Sequence, residues 1–157
     1  MQWAEVLADK SLRDLPYKIE LDKWGNLIMR PASNRHGRLQ LVVAALLENI
    51  PHGRALIECS VTTAEGVKVA DAAWCSDVFF DRFGYETPYP RAPEICVEVR
   101  SPSKSEEELN FKTRLYLEAG TKEVWIVLET GEARFFGAEG ERAASEYGLD
   151  PRPLLNH

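Results

Sequence analysis

The sequence predicts an α/β protein in which a mixed β-sheet is flanked by helices. Two stretches with an apolar stripe at helical spacing, one before residue 51 and one after residue 104, predict the helices. Between and after them, runs rich in β-branched residues predict strands, and 124–128, VWIVL, is apolar throughout, as in a strand covered on both faces. A helix between two strand runs is typical of a sheet with helices on its faces.

The elements follow in the order helix, three strands, helix, strand (αβββαβ), with a hairpin before this core and a strand after it. Weak helical character marks 3–10, and Trp24-Gly25-Asn26 lies near the turn of the predicted hairpin. Ser33 or Asn34 can cap the first core helix, and Gly120 ends the second. The expected bounds are 18–30 for the hairpin, 33–50 and 105–119 for the helices, and 55–61, 67–76, 93–103, 124–128 and 133–136 for the strands, the last antiparallel; 81–92 reads as an irregular loop.

The 157 residues fit one domain, which we expect over 1–157, with its core at about 14–137 and an irregular tail at about 150–157. The net charge of −6 and the isoelectric point near 5.2 argue mildly against a high-affinity nucleic-acid binder. An enzyme with a locally basic rim is compatible with both values.

The compartment is expected to be the cytoplasm. The N-terminus lacks a basic segment followed by an apolar one, and the longest apolar run, LQLVVAALL, is too short to span a bilayer. No membrane association is therefore expected. Three cysteines without a C-x-x-C pair are typical of buried free thiols.

The stretch 93–103, PEICVEVRSPS, raises the question of function. Ile95, Val97 and Val99 alternate with polar residues, so one face of the strand is β-branched. The other face carries Glu98 and Arg100, and Glu94 at its start is expected to be a rim or structural residue. This polar face is either an ordinary solvated surface or part of an active site, and alternation alone does not distinguish the two.

Two further residues conflict with their surroundings. Asp71 interrupts the apolar run VKVADAAW, so either this strand lies at a wet sheet edge or the carboxylate has a role. Lys112 lies in the middle of the apolar stripe of 105–119. Its ammonium either reaches water along a packed stem or pairs with a carboxylate, Asp71 or Glu98.

His36 and Gln40 are one helical turn apart on the first core helix. Gln40 lies toward the interior edge of the apolar stripe, where a polar group must find a partner. For His36 the favoured role is a structural cap.

Two strand carboxylates and a helix lysine would together suit phosphodiester hydrolysis. Mg²⁺ prefers oxygen ligands and keeps waters for substrate phosphates. A nearby lysine can orient or help deprotonate the attacking water and offset negative charge. Glycosidases also use two carboxylates, but they need one of them protonated and have no use for a lysine.

Taken in order, GVKVADAAWCS, PEICVEVRSPS, the Lys112 helix and GTKEVWIV resemble the Uma-type restriction-endonuclease family of the PD-(D/E)XK nuclease superfamily. The resemblance covers about 14–137 and includes the hairpin and PASNRHGRLQ. It implies a restriction-endonuclease-like core and cleavage of DNA with Mg²⁺ or Mn²⁺. It also implies Asp71 and Glu98 as metal ligands and catalytic residues, with Lys112 and Gln40 completing the site.

The sequence departs from the superfamily motif at two positions. Ala70 stands where a proline usually precedes the aspartate, and Arg100 stands where the lysine usually follows the glutamate. Arg100 is therefore a second candidate for the catalytic cation, and Asp77 is a rival for Asp71.

Two functions remain open at this stage. The first is a metal-dependent endonuclease with DNA as its partner, which could act as a homodimer to cut both strands. The alternative is a non-catalytic nucleic-acid- or protein-binding module on the same fold.

Overall fold

A computed structural model describes residues 1–15, 17–101 and 105–156. Its helices and strands follow the predicted order closely. The α-helices are α1 Trp3–Ala8, α2 Asn34–Leu47, α3 Asp77–Phe83 and α4 Glu106–Glu118. The strands are β1 Tyr17–Leu21, β2 Leu27–Pro31, β3 Gly53–Thr63, β4 Gly66–Ser76, β5 Ile95–Arg100, β6 Glu123–Leu128, β7 Ala133–Gly137 and β8 Gly140–Arg142.

The main sheet has six strands in the order β3-β4-β5-β6-β7-β8. β5 and β6 run parallel and are joined by α4, and the other neighbouring pairs are antiparallel. Strands β1 and β2 form a separate two-stranded sheet, the hairpin. The predicted mixed sheet, the αβββαβ order and the leading hairpin are thus confirmed, and β8 is an addition that the sequence pattern did not predict.

Helices cover both faces of the sheet. On one face α2 packs Leu39 and Val43 against Val97 of β5 and Trp125 of β6. On the other face α4 packs its apolar side chains, among them Tyr116, over the same two strands. Every residue of β5 is buried, so neither of its faces is a solvated surface. The second face also buries the three free thiols, as expected: Cys59, Cys75 and Cys96.

The helix ends follow from their capping residues. The Ser33 hydroxyl accepts a hydrogen bond from the His36 amide at 3.0 Å, and Ser105 caps α4 through the Glu108 amide. Gly120, with φ +109°, follows α4 in a conformation that favours glycine. The residues 102–103 of the predicted strand 93–103 lie outside the described part of the chain.

Two expectations were wrong. The stretch 81–92 is not loop throughout, because α3 extends to Phe83. The tail is not wholly irregular either: Arg152–Leu154 form a 3-10 turn, and Leu155 is fully buried against the α2 face of the sheet. Both elements are shorter than two helical turns, so neither contains enough residues to show a periodic apolar pattern.

Helix α3 is held at its start by Glu94. The Glu94 carboxylate accepts hydrogen bonds from both the amide and the hydroxyl of Ser76, and the same hydroxyl caps α3 by accepting from the Phe79 amide at 3.0 Å. This contact explains the structural role expected for Glu94. None of the described helices is long and apolar enough to cross a membrane.

We expect Glu94→Ala to lower the free energy of unfolding by about 1–3 kcal/mol, because two half-buried donors of Ser76 lose their acceptor. Urea denaturation followed by circular dichroism measures the change. Glu86→Ala, at an exposed position just after α3, is the control. If Glu94→Ala lowered the free energy of unfolding no more than the control does, the contact between Ser76 and this carboxylate would not contribute to stability.

Candidate active site

The site lies where the pairing of β4 and β5 ends. The last antiparallel pair is Ala72 with Val97, so Asp71 and Glu98 occupy the next opposite positions. There the Asp71 Oδ2 atom accepts the Val99 amide at 2.8 Å. A side-chain carboxylate thus satisfies a β5 amide just past the last β4–β5 pair, and two acidic residues face each other at this point.

Both carboxylates are buried. Asp71 is 3% exposed and Glu98 is 0% exposed. Strand β4 lies between β3 and β5, so the alternative of a wet edge strand for Asp71 is wrong. The polar face of β5, which carries Glu98 and Arg100, is likewise an interior face. Buried carboxylates need cations or hydrogen-bond donors close by.

Lys112 supplies one of these cations. Its Nζ atom lies 2.8 Å from Glu98 Oε1 and 2.6 Å from Glu20 Oε2, and the residue is 4% exposed. The ammonium therefore does not reach water, and the predicted pairing with a strand carboxylate is confirmed for Glu98. Its second partner, Glu20, belongs to the hairpin and was not predicted.

The hairpin contributes a second lysine that sequence reasoning missed. Lys18 Nζ lies 3.2 Å from Asp71 Oδ1 and 3.2 Å from Glu98 Oε2. Glu20, two residues along the same strand face, accepts the Val69 amide of β4 at 2.7 Å. Alternate residues of a strand share a face, so Lys18 and Glu20 lie on the same face of β1. No local pattern in the sequence indicates that this face of the hairpin packs against the main sheet.

Helix α2 reaches the site through two side chains one turn apart. His36 Nε2 lies 3.2 Å from Asp71 Oδ1, and Gln40 Nε2 donates to the main-chain oxygen of Asp71 at 2.8 Å. The cap role expected for His36 is therefore wrong for its side chain, since Ser33 makes the cap. Gln40 holds the main chain at Asp71 rather than its carboxylate.

The structure also shows the positions of the two alternative candidates, Arg100 for the catalytic cation and Asp77 for the first carboxylate. Arg100 is buried, and its Nη2 atom lies 3.3 Å from Glu98 Oε1, so it contacts the same carboxylate as Lys112 at a longer distance. Asp77 is exposed in the first turn of α3. The buried position opposite Glu98 belongs to Asp71, which favours Asp71 over Asp77.

The cluster contains matched charges: three carboxylates (Glu20, Asp71, Glu98) and three cations (Lys18, Arg100, Lys112), with His36 beside them. Burial alone would raise the pKa of Glu98, but the charges of Lys112 and Lys18 outweigh it and hold that pKa below its usual value. The pKa of Glu20 is lowered in the same way.

The two lysines differ in their electrostatic environment. Burial lowers the pKa of Lys112 below that of an ordinary lysine, although Glu98 opposes the shift. For Lys18 burial also disfavours the charge, but Glu98, Asp71 and Glu20 outweigh burial and raise its pKa. The hydrogen bond to Asp71 raises the pKa of His36 against the effect of burial. Lys112 is therefore the better placed of the two lysines to give up a proton.

A cleft of about 660 Å³ leads to Asp71 from outside. Its walls come from the second hairpin strand, the start of α2 and the end of β5. Several of the lining side chains are basic: Lys18, Arg30, His36 and Arg100. Lys18, Arg30 and Arg100 outnumber the two lining carboxylates, Asp71 and Glu129, so the cleft wall has a small excess of positive charge, which suits an anionic ligand.

The pair Asp71 and Glu98 fits a divalent metal ion by donor type. Among the described residues, no group of three or more His, Cys, Asp and Glu side chains is arranged to hold a metal ion. Two carboxylates with water and substrate oxygens are, however, a usual environment for Mg²⁺. The facing oxygens both lie 3.2 Å from Lys18 Nζ, so they are at most twice that distance apart.

In this mixed sheet, packed against α4, two acidic residues lie opposite each other on neighbouring strands, and a lysine contacts one of them. This arrangement defines a nuclease fold of the restriction-endonuclease-like class. The chain belongs to the Uma2 family, whose model is described as "Putative restriction endonuclease" and matches residues 9–154. The family assignment supports a nuclease function. It also confirms the resemblance that the sequence motifs indicated.

A solved structure supports the same fold. The crystal structure of a "putative nuclease belonging to DUF820" from Anabaena variabilis matches with a TM-score of 0.73 and 16% sequence identity. The match covers 99% of this chain and 97% of that one. A search of the curated proteins finds no match.

We expect the free energy of unfolding to decrease as the pH falls below about 4.5, the usual pKa of a glutamate. Glu20 and Glu98 have lowered pKa values in the folded protein, so the unfolded chain takes up protons first and acid favours unfolding. Urea titrations at a series of pH values measure the slope. In Glu98→Gln the slope should be shallower, and an unchanged slope would contradict this assignment.

Proposed function

We propose that the chain is a metal-dependent endodeoxyribonuclease that hydrolyses phosphodiester bonds, with Asp71 and Glu98 as ligands of Mg²⁺ or Mn²⁺. The observation that carries the proposal is the buried pair of carboxylates at adjacent strand positions, with Lys112 Nζ 2.8 Å from one of them. Family membership supports the nuclease reaction, and the basic cleft supports a phosphate-bearing substrate.

The metal ion would supply Lewis-acid chemistry, polarising a phosphoryl oxygen and lowering the pKa of a bound water. Lys112 is anchored by Glu20 and Glu98, so we assign it the orientation of the attacking water. Its lowered pKa favours the neutral amine, and only in that form would it accept a proton from this water. In its protonated form it offsets negative charge on the phosphorus centre.

The remaining residues have supporting roles in this proposal. Gln40 fixes the main chain of Asp71, and His36 orients its carboxylate. Arg30 and Arg100 line the cleft and would attract the phosphates on either side of the reacting bond. A double-strand break made with one active site per chain would favour two copies related by a twofold axis. The proposed setting of the reaction is the cytoplasm.

The direct test is cleavage of supercoiled plasmid DNA with Mg²⁺, with Mn²⁺ and with excess chelator. We expect cleavage only with the metals, and Asp71→Asn should lower the rate by orders of magnitude because a ligand carboxylate is lost. Asp77→Asn is the matched control, since it makes the same chemical change at the exposed rival position.

Loss of cleavage in Asp77→Asn beside an active Asp71→Asn would transfer the role to Asp77. Wild-type protein that binds DNA but cleaves it with neither metal would favour the alternative function, a non-catalytic binding module on the same fold.

The two cations on Glu98 can be separated by substitution. Lys112→Met should reduce cleavage by orders of magnitude, while Mn²⁺ binding survives because both carboxylates remain. Arg100→Met should reduce cleavage much less, since Arg100 is farther from Glu98 than Lys112 is and has no second carboxylate partner comparable to Glu20. Plasmid cleavage measures the activity, with Lys122→Met, an exposed lysine outside the site, as the control.

Lys112→Met also leaves Glu20 without its closest cation, which can cost about 3–5 kcal/mol of stability. The double variant Glu20→Gln/Lys112→Met restores the balance of charge and should recover stability without recovering cleavage. Circular dichroism is the folding control. Full activity in Lys112→Met beside an inactive Arg100→Met would assign the catalytic cation to the strand arginine.

A further inference from the structure

The ammonium of Lys18 lies between the two carboxylates proposed as metal ligands. Its Nζ atom is 3.2 Å from Asp71 Oδ1 and 3.2 Å from Glu98 Oε2, with Glu20 Oε2 at 3.9 Å. Like charges at directly opposite strand positions destabilise a sheet. A positive charge between Asp71 and Glu98 removes this repulsion when no metal ion is bound.

Lys18 and a divalent ion cannot share this position. Metal–oxygen bonds to Mg²⁺ are about 2.0–2.1 Å long, so an ion bound by both carboxylates would lie in the space that the ammonium now occupies. The two positive charges would also repel each other strongly at such a short distance in a buried site. Binding of the ion therefore requires that Lys18 move.

Lys18 is the cation of the cluster with room to move. Its side chain is 15% exposed, compared with 5% for Lys112, which is enclosed beneath α4. Lys18 lines the active-site cleft and also a second cavity of about 310 Å³. The lining of that second cavity is mainly apolar, but it includes Glu58 of β3, whose carboxylate would offer a partner to a displaced ammonium.

The element that carries Lys18 is separate from the main sheet. The hairpin forms its own two-stranded sheet, and side chains join it to β4: Glu20 accepts the Val69 amide at 2.7 Å, and Lys68 Nζ lies 3.4 Å from the Leu21 oxygen. Displacement of Lys18 thus breaks contacts between the hairpin and the sheet without breaking the six-stranded ladder.

We propose that Lys18 is an internal competitor of the divalent ion, a tethered cation that neutralises Asp71 and Glu98 in the metal-free protein and must leave when metal binds. Metal affinity is then set by this exchange, and metal binding loosens the first hairpin strand. The inference rests on the proposed metal site at Asp71 and Glu98, and its test does not depend on cleavage.

The test is a calorimetric titration of the full chain with Mn²⁺ in the absence of DNA. Lys18→Met should bind Mn²⁺ at least about tenfold more tightly than wild type, because the competing charge is gone. Lys18→Arg keeps the charge and should remain much closer to wild type. Lys23→Met is the matched control, since Lys23 lies in the hairpin turn and pairs only at the surface, with Glu65 at 3.5 Å.

A second measurement uses wild-type protein and so does not depend on the folding of a variant. Hydrogen exchange of the amides in Tyr17–Leu21 should become faster when Mn²⁺ is added, because the Lys18 contacts are released. Exchange that is unchanged or slower would overturn the inference.

The titration can also overturn it. Equal or weaker Mn²⁺ affinity in Lys18→Met would show that the lysine does not compete, and absence of binding in both proteins would remove the metal site as well. Tighter binding in Lys18→Met, together with no DNA cleavage by wild type, would support this inference while contradicting the proposed function.

Discussion

The hydrogen bond from the Val99 amide to the Asp71 carboxylate is the interaction on which the site depends. In a regular ladder, alternate amides of β5 would pair with main-chain oxygens of β4. Here the regular pairing stops at Ala72 and Val97, and a side chain accepts the next bond. Because the amide is satisfied, the pairing can end inside the protein without leaving a buried donor unpaired. The cleft reaches Asp71 at this end of the pairing.

A second constraint is the balance of charge around that point. Glu98 is fully buried, and its ion-pair partners come from three separate elements: Lys18 of the hairpin, Arg100 of its own strand and Lys112 of α4. No single one of these ion pairs would compensate for the burial of Glu98, because each buried ion loses its hydration. The arrangement therefore joins the hairpin, the sheet and the helix layer through one group of ion pairs, while Gln40 attaches α2 through the main chain.

Much of this was predictable from local patterns. The strands and helices of the core have strong apolar periodicity. Asp71 and Lys112 are identifiable as candidates because each is a charged residue within an apolar run. Lys18 and Glu20 could not be found in this way, because their importance depends on how the hairpin docks on β4. The role of His36 differs from the expected cap for a related reason: the Ser33 hydroxyl caps α2, and the imidazole contacts Asp71 instead. Helix α3 is too short to show a periodic apolar pattern, and the buried Leu155 is a single apolar position in the tail.

The sequence separations within the site have a consequence for how the protein becomes functional. Lys18 meets Glu98 across 80 positions, and Glu20 meets Lys112 across 92. Contacts between distant parts of a chain form slowly, because a long loop must be closed before they contribute any stability. We therefore expect the charged centre to come together late in folding, after the local hairpins and helices have formed. During synthesis Lys18 is made 80 residues before Glu98, whereas Arg100 and Lys112 are made after it, so the newly made chain carries an incomplete site until Lys112 has been added.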